Sequence, residues 1–274
     1  VTPTAARAAR RGVIIALLAA GGCDGGATKL IGADQPSMTC KATPAPPPAS
    51  LGLPAFYQKY LDATGVPVVS SAAPDDTALV QSCLVVEHML KLRADIRERM
   101  IRRNMHVAII GVNEKTTDIP EYADLYQAFP GNDWDSLRGV GATLARPVSS
   151  VGEENALCLS DDPYSGENVL VETFASAVLL AVEDIDSGFQ RQLQSALNDA
   201  VNSNHWLNTY ATQNEIEYYA MGVQTWFDAA KEASPANGVN NEINTRTELI
   251  GYDPTLASLV GETMPNDAWR PHCP

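Results

Sequence analysis

The sequence predicts an α+β fold, mostly helical, with a small twisted β-sheet packed on a central helix. Three observations lead there. Apolar residues recur at helical spacing through much of the chain, for example Leu79, Cys83, Val86 and Leu90. One short run, residues 105–112 (MHVAIIGV), is apolar and β-rich enough for a buried strand. Residues 168–178 (NVLVETFASAV) are apolar almost all round, as a helix in the interior of a domain must be.

The bulk composition sets the frame. A chain of 274 residues with 45% hydrophobic residues suits one substantial domain with a tail. Lys and Arg number 19 against 33 Asp and Glu, a formal charge of −14. Such a surface repels phosphate backbones, which excludes nucleic acid as a partner. It suits solubility outside the cytoplasm or attraction to basic partners.

Residues 1–22 read as a secretory signal. Arg7, Arg10 and Arg11 form a basic start, and residues 12–20 (GVIIALLAA) an apolar run too short to span a bilayer. Ala20-Gly21-Gly22-Cys23 resembles a bacterial lipobox, in which Cys23 is lipidated and becomes the mature N-terminus, although Ala20 stands where Leu is usual. An ordinary cleaved signal with an incidental Cys23 is the alternative. Residues 24–50 are rich in Gly, Ala and Pro and read as a linker, with Cys40 pinning its end to the body. Residues 51–274 then form a single domain.

Within that domain, residues 55–63 (AFYQKYLDA) carry aromatic and Leu residues at helical spacing. Asp75-Asp76-Thr77 opens a longer helix, and another follows over 94–103. Its many Arg side chains make a solvated face, with a basic docking patch as the alternative. The strand at 105–112 leads into Thr116-Thr117-Asp118-Ile119-Pro120-Glu121, and 131–135 is turn chemistry. Residues 139–143 and 148–151 read as strand edges around a loop. The central helix runs from 168 to about 183, a second from about 188 to 202, and a third lies within 210–228. Thr212-x-x-Glu215 is a plausible capping box for the third. Glu217, Met221 and Gln224 share one of its faces. A last short helix begins at 244–249, and Tyr252-Asp253-Pro254 breaks it.

Apart from Cys23, four cysteines remain: Cys40, Cys83, Cys158 and Cys273. An even number behind a signal peptide argues for two disulfides in an oxidising compartment. Three pairings are possible. Cys40–Cys83 with Cys158–Cys273 is favoured because it pins both ends of the chain onto the body. No pair has the short spacing of a structural zinc site.

The segments 116–121, 153–159, 168–178 and 210–228 together resemble the catalytic domain of gluzincin metallopeptidases, specifically the lethal-factor-like branch. That family's central helix reads N-[IV]-L-V-H-E-F-A-H-A-[IV]. The resemblance implies a zincin-like fold. It also implies a site in which two His one helical turn apart and a Glu from a later helix hold zinc, while a Glu beside the first His serves as general base. Carried over residue by residue, the two His fall on Glu172 and Ser176, and the general base on Thr173. The later ligand falls on Glu217, the oxyanion-stabilising Tyr on Tyr210, and a Glu that supports the ligands on Met221. The frame is kept and the zinc chemistry is lost, so no cofactor is expected.

The reading that follows is an extracytoplasmic, non-catalytic pseudopeptidase: a lipoprotein of the bacterial cell envelope, or a secreted protein. It acts as a binding or structural module. Its partner is an unidentified peptide or protein of basic character, and it meets the membrane only through an N-terminal lipid. Two alternatives stay open. One is a hydrolase using Glu172 and Glu217 as a carboxylate pair. The other is residual metal-dependent peptidase activity through Glu172, Glu217 and His205.

Overall fold

The computed structural model describes residues 39–272. The signal, Cys23 and Cys273 lie outside the described residues. Strands β1 (Lys59–Ala63) and β2 (Val66–Ser70) come first, then helices α1 (Asp76–Met89) and α2 (Ala94–Arg102), strand β3 (His106–Ile110) and a short helix α3 (Leu125–Ala128). Strand β4 (Val148–Gly152) runs into a single turn of helix, α4 (Glu153–Ala156). The rest is helical: α5 (Val169–Ile185), α6 (Ser187–Asn202), α7 (Glu215–Trp226), α8 (Arg246–Tyr252) and α9 (Pro254–Thr263). The fold is α+β, mostly helical, around a four-stranded mixed sheet.

The sheet order is β1-β2-β3-β4, with β1 antiparallel to β2 and the other neighbours parallel. Successive side chains of a strand point to opposite faces, and here both faces are covered. Leu61, Val68, Val107, Ile109 and Val151 join the main core with α1, α2 and α5. Tyr60, Val69, Ala108, Ile110 and Val148 pack instead against Ile119, Tyr122, Leu125 and Trp134 from the long β3–β4 connection. That connection is held at its start by Glu121, which accepts a 2.6 Å hydrogen bond from Tyr57 and lies 3.2 Å from the buried His106 ring. Burial pushes the Glu121 carboxyl up, but the His106 and Tyr57 contacts together hold it below its ordinary value.

Three expectations are corrected. Residues 55–63 are not a helix: their second half is β1, hairpinned to β2. The deciding feature is the two-residue turn Thr64-Gly65, both at positive φ (54° and 98°), followed by the β-branched Val66, Val68 and Val69. Gly65 is required twice over, because a Cβ there would also lie 2.5 Å from Ile101. The cap of α7 is Asn214, not Thr212; its side chain accepts from the backbone N–H groups of Ile216 and Glu217. Pro254 ends α8 but starts α9, where Asp253 caps and a proline at the first position costs no hydrogen bond.

Cys40 and Cys83 form a disulfide that ties the N-terminal segment to α1. Thr39 and Ala45 bridge to Asp62 and Tyr60, so this segment lies along the outer edge of β1. Closing a loop with a sequence separation of 43 stabilises by about 4 kcal/mol in the chain-entropy account. Cys158 is disulfide-bonded as well. Among the described residues no helix is long and apolar enough to cross a membrane.

Candidate functional site

The site is built on α5 and α7. Helix α5 starts where Asn168 accepts the backbone N–H of Val171, and it contains neither Gly nor Pro. Twelve of its 17 residues are buried, so packing rather than propensity decides its course. Its start is fixed against the end of α7 and the residues after it: Gln224 Nε2 donates to Asn168 O at 3.1 Å, and Asn168 N donates to Ala229 O at 2.9 Å.

Thr173 is buried and committed to the sheet. Its Oγ1 donates to Ser150 O on β4 at 3.0 Å, and its own carbonyl accepts from Ser149 Oγ at 2.8 Å. Where the resemblance places a general base, this chain has a bolt between helix and strand. Glu172 is half-buried. Ser176 is 1% exposed, and its hydroxyl has no hydrogen-bond partner. Tyr210 is buried in a short 3-10 turn whose backbone N–H reaches Val239 O.

Glu217 is 3% exposed, and Met221, one turn further along the same face, is 4% exposed. Burial alone pushes the Glu217 carboxyl up to about 7. Neither a cation nor the charge of Glu172 contributes.

The four histidines stand elsewhere. His205 lies against the Tyr252 ring, centroids 4.5 Å apart. His88 stacks on Trp269 at 4.1 Å and reaches Asp267 at 3.1 Å, with burial as the main cause holding its pKa below the usual value. His106 belongs to the far face of the sheet, and His272 is exposed.

Sequence reasoning noticed residues 139–143 as a strand edge but not what the edge does. Residues 138–140 run antiparallel along the free side of β4: Ser150 N donates to Val140 O at 2.9 Å and Gly152 N to Arg138 O at 2.6 Å. Gly139 lies so close to α5 that a Cβ would sit 2.3 Å from Val169 Cγ1 and 3.3 Å from Thr173 Cγ2. The backbone N–H and C=O groups of Gly139 and Gly141 have no partner among the described residues. Alternation turns them away from β4; Gly139 is half-buried there, close to Thr173, and Gly141 is buried.

Glu172, Ser176 and Glu217 offer oxygens and no nitrogen, a poor donor set for zinc. Among the described residues no three His, Cys, Asp or Glu side chains converge as metal ligands.

No protein-family model matches this chain, and no curated protein sequence does either. Among solved structures, the PRO-PRO endopeptidase PPEP-2 from Paenibacillus alvei is similar. The TM-score is 0.46 and the identity 16%, over 71% of this chain and 96% of that one.

Proposed function

We propose that the protein is an extracytoplasmic pseudopeptidase that binds an extended peptide without cleaving it. The observation that carries this reading is the donor set on the central helix. Both positions that would supply imidazole hold Glu172 and Ser176, and the position of the base is Thr173, bonded into β4. A metal-bound water has neither a metal to bind nor a base to deprotonate it. The binding part rests on the half-buried backbone of Gly139, which has no partner among the described residues on the side away from β4 and offers an extended peptide a place to pair. The Cys40–Cys83 disulfide is in keeping with an oxidising compartment. Within this reading Cys23 carries the lipid that holds the domain at the cell envelope.

The test is elemental analysis with a peptide-cleavage assay. Purified protein is expected to hold no stoichiometric zinc and to show no chelator-sensitive turnover. The triple variant Glu172→His, Thr173→Glu, Ser176→His restores the missing groups around Glu217 and should gain about one zinc per chain. A folded triple variant that binds no metal would show that α5 and α7 are wrongly matched to the family's helices.

A further inference from the structure

Residues 265–272, the last described stretch of the chain, contain no helix or strand and are held on the body through side chains. Trp226 Nε1 donates to Pro265 O at 3.0 Å. Arg246 Nη1 donates to Asn266 Oδ1 at 2.9 Å and to Asp267 O at 2.8 Å. At the end of α1, His88 Nε2 and Lys91 Nζ each take one oxygen of the Asp267 carboxylate, at 3.1 and 3.2 Å. Trp269 then stacks on the His88 ring, centroids 4.1 Å apart. Farther along, His272 faces a cleft between α1 and the start of α5, whose wall includes the buried, unpartnered hydroxyl of Ser82. We propose that residues 265–272 form an acid-released strap over α1 and the start of α5, with His88 as its sensor.

His88 meets Asp267 without needing a positive charge. An ionised carboxylate only accepts, so the neutral ring with its hydrogen on Nε2 makes this bond. A second proton is poorly served by the surroundings. The side chain is 12% exposed, between the rings of Trp269 and Phe227. On its own helix Lys91 already occupies the other oxygen of Asp267. From α8, Arg246 holds the Asp267 carbonyl, and Arg270 of the strap reaches the same carbonyl at 3.3 Å. Asp228, after α7, is engaged by Arg270. A charged imidazole would thus join three cations around two carboxylates that are both already in use. Burial, ahead of the Lys91 and Arg246 charges, holds the His88 pKa below the ordinary 6.5 against the pull of Asp267.

Acid therefore acts on the strap with a definite sign. The stability that the neutral ring contributes is complete above 6.5 and is lost as pH falls through the lower folded value. Asp267 titrates outside that window. Burial pushes its carboxyl up, but the Trp269 N–H, Lys91 and His88 together hold it below the ordinary 3.8. The strap carries no helix or strand, so its release leaves the helices in place. What it uncovers is the cleft formed by Ser82 and Val85 of α1 with Leu170 and Asn168, the residue that caps the central helix.

Hydrogen exchange of the full chain, read by mass spectrometry at about pH 5 and about pH 7.5 and corrected for the intrinsic rate, tests the strap. Residues 265–272 should exchange about twofold or more faster at the lower pH, with α6 unchanged as the reference. His88→Gln keeps a donor for Asp267, and His88→Phe keeps the stack on Trp269. Neither side chain takes up a proton, so the acid response of the strap should vanish in both. Equal protection of the wild-type strap at the two pH values, an equal change in α6, or a response that persists in either variant overturns the inference. Should neither variant fold, the ring resonances of His88 in the wild-type protein decide. A midpoint below 6.5 supports the strap. A midpoint at or above 6.5 shows that the proton does not loosen it and overturns the inference.

Discussion

The acids at the end of β4 and the single buried acid Glu217 on α7 are built on opposite principles. At the carboxyl ends of β3 and β4, Glu114, Glu153 and Glu154 are all met. Arg138 grips Glu154 through Nε at 2.6 Å and Nη2 at 3.0 Å, and its other donors reach Glu114 O and Gly111 O. Glu153 accepts from the backbone of Asp75 and Val112, and Glu114 from Ser71 Oγ and Gly111 N. On the helical side, Glu217 is as deeply buried and has no ion-pair partner among the described residues. The first group fixes where β3, β4 and the N-terminus of α1 lie. The second contributes nothing to the fold and costs stability as long as it is charged.

That contrast can be broken experimentally, and the largest effect is expected at Arg138. Arg138→Met leaves Glu154 buried without its cation and should cost about 3–5 kcal/mol in denaturant unfolding. Adding Glu154→Leu should recover a large part of the loss, because removing both charges also removes the unpaired one. A single variant within about 1 kcal/mol of wild type would mean that the cluster is solvated and the contrast false.

Glu217 should respond in the opposite direction. Its folded pKa, near 7, lies above the ordinary 4.5 of a glutamate. As pH rises through 4.5 the unfolded chain releases this proton first. Stability contributed by the protonated form is therefore full below about 4.5, falls up to about 7, and is flat above. Glu217→Gln should raise stability at pH 8 by about 3 kcal/mol, with the gain vanishing near pH 4. Residual slope in the variant is assigned to Glu183, which burial and the nearby Glu215 and Asp184 also push up to about 7. Thermal melts from pH 4 to 8 decide the matter, and a variant less stable than wild type at pH 8 would reveal a hidden cation beside Glu217.

The edge segment gives a smaller effect. Gly139→Ala drives a methyl into Val169 and should cost about 1–3 kcal/mol, recovered when Val169→Ala makes room. Smallest are the two hydroxyls of α5, which sharpen the comparison within a single helix. Thr173→Val loses the bond to Ser150 O and should cost about 1 kcal/mol. Ser176→Ala loses no bond and should be neutral or stabilising by up to about 1 kcal/mol. Equal costs at the two positions would show that Ser176 has a partner in solution.

Much of the scaffold was legible because its signals are local. Asp75 caps α1 as its sequence suggests, residues 106–110 are the buried strand, and the apolar run after Asn168 is the buried central helix. The β1–β2 hairpin was not legible, because Tyr57, Tyr60 and Leu61 satisfy a helical spacing equally well. A turn at positive φ and the pairing of Tyr60 with Val69 overrode it. The α7 cap was misplaced because Thr212 and Asn214 both carry capping side chains, and only the path of the chain from Tyr210 selects between them.

The sequence alone determined which side chains α5 carries: Glu172, Thr173 and Ser176 supply no imidazole, because side-chain identity is all that question needs. It also offered an even number of cysteines for pairing, and the structure pairs Cys40 with Cys83. Only the tertiary structure decided which acids are partnered. Arg138 meets Glu154 across an intervening loop and strand, and Glu217 at comparable depth has no ion-pair partner among the described residues. A charge's partner and its desolvation are set by contacts far apart in the chain, so no local pattern encodes them.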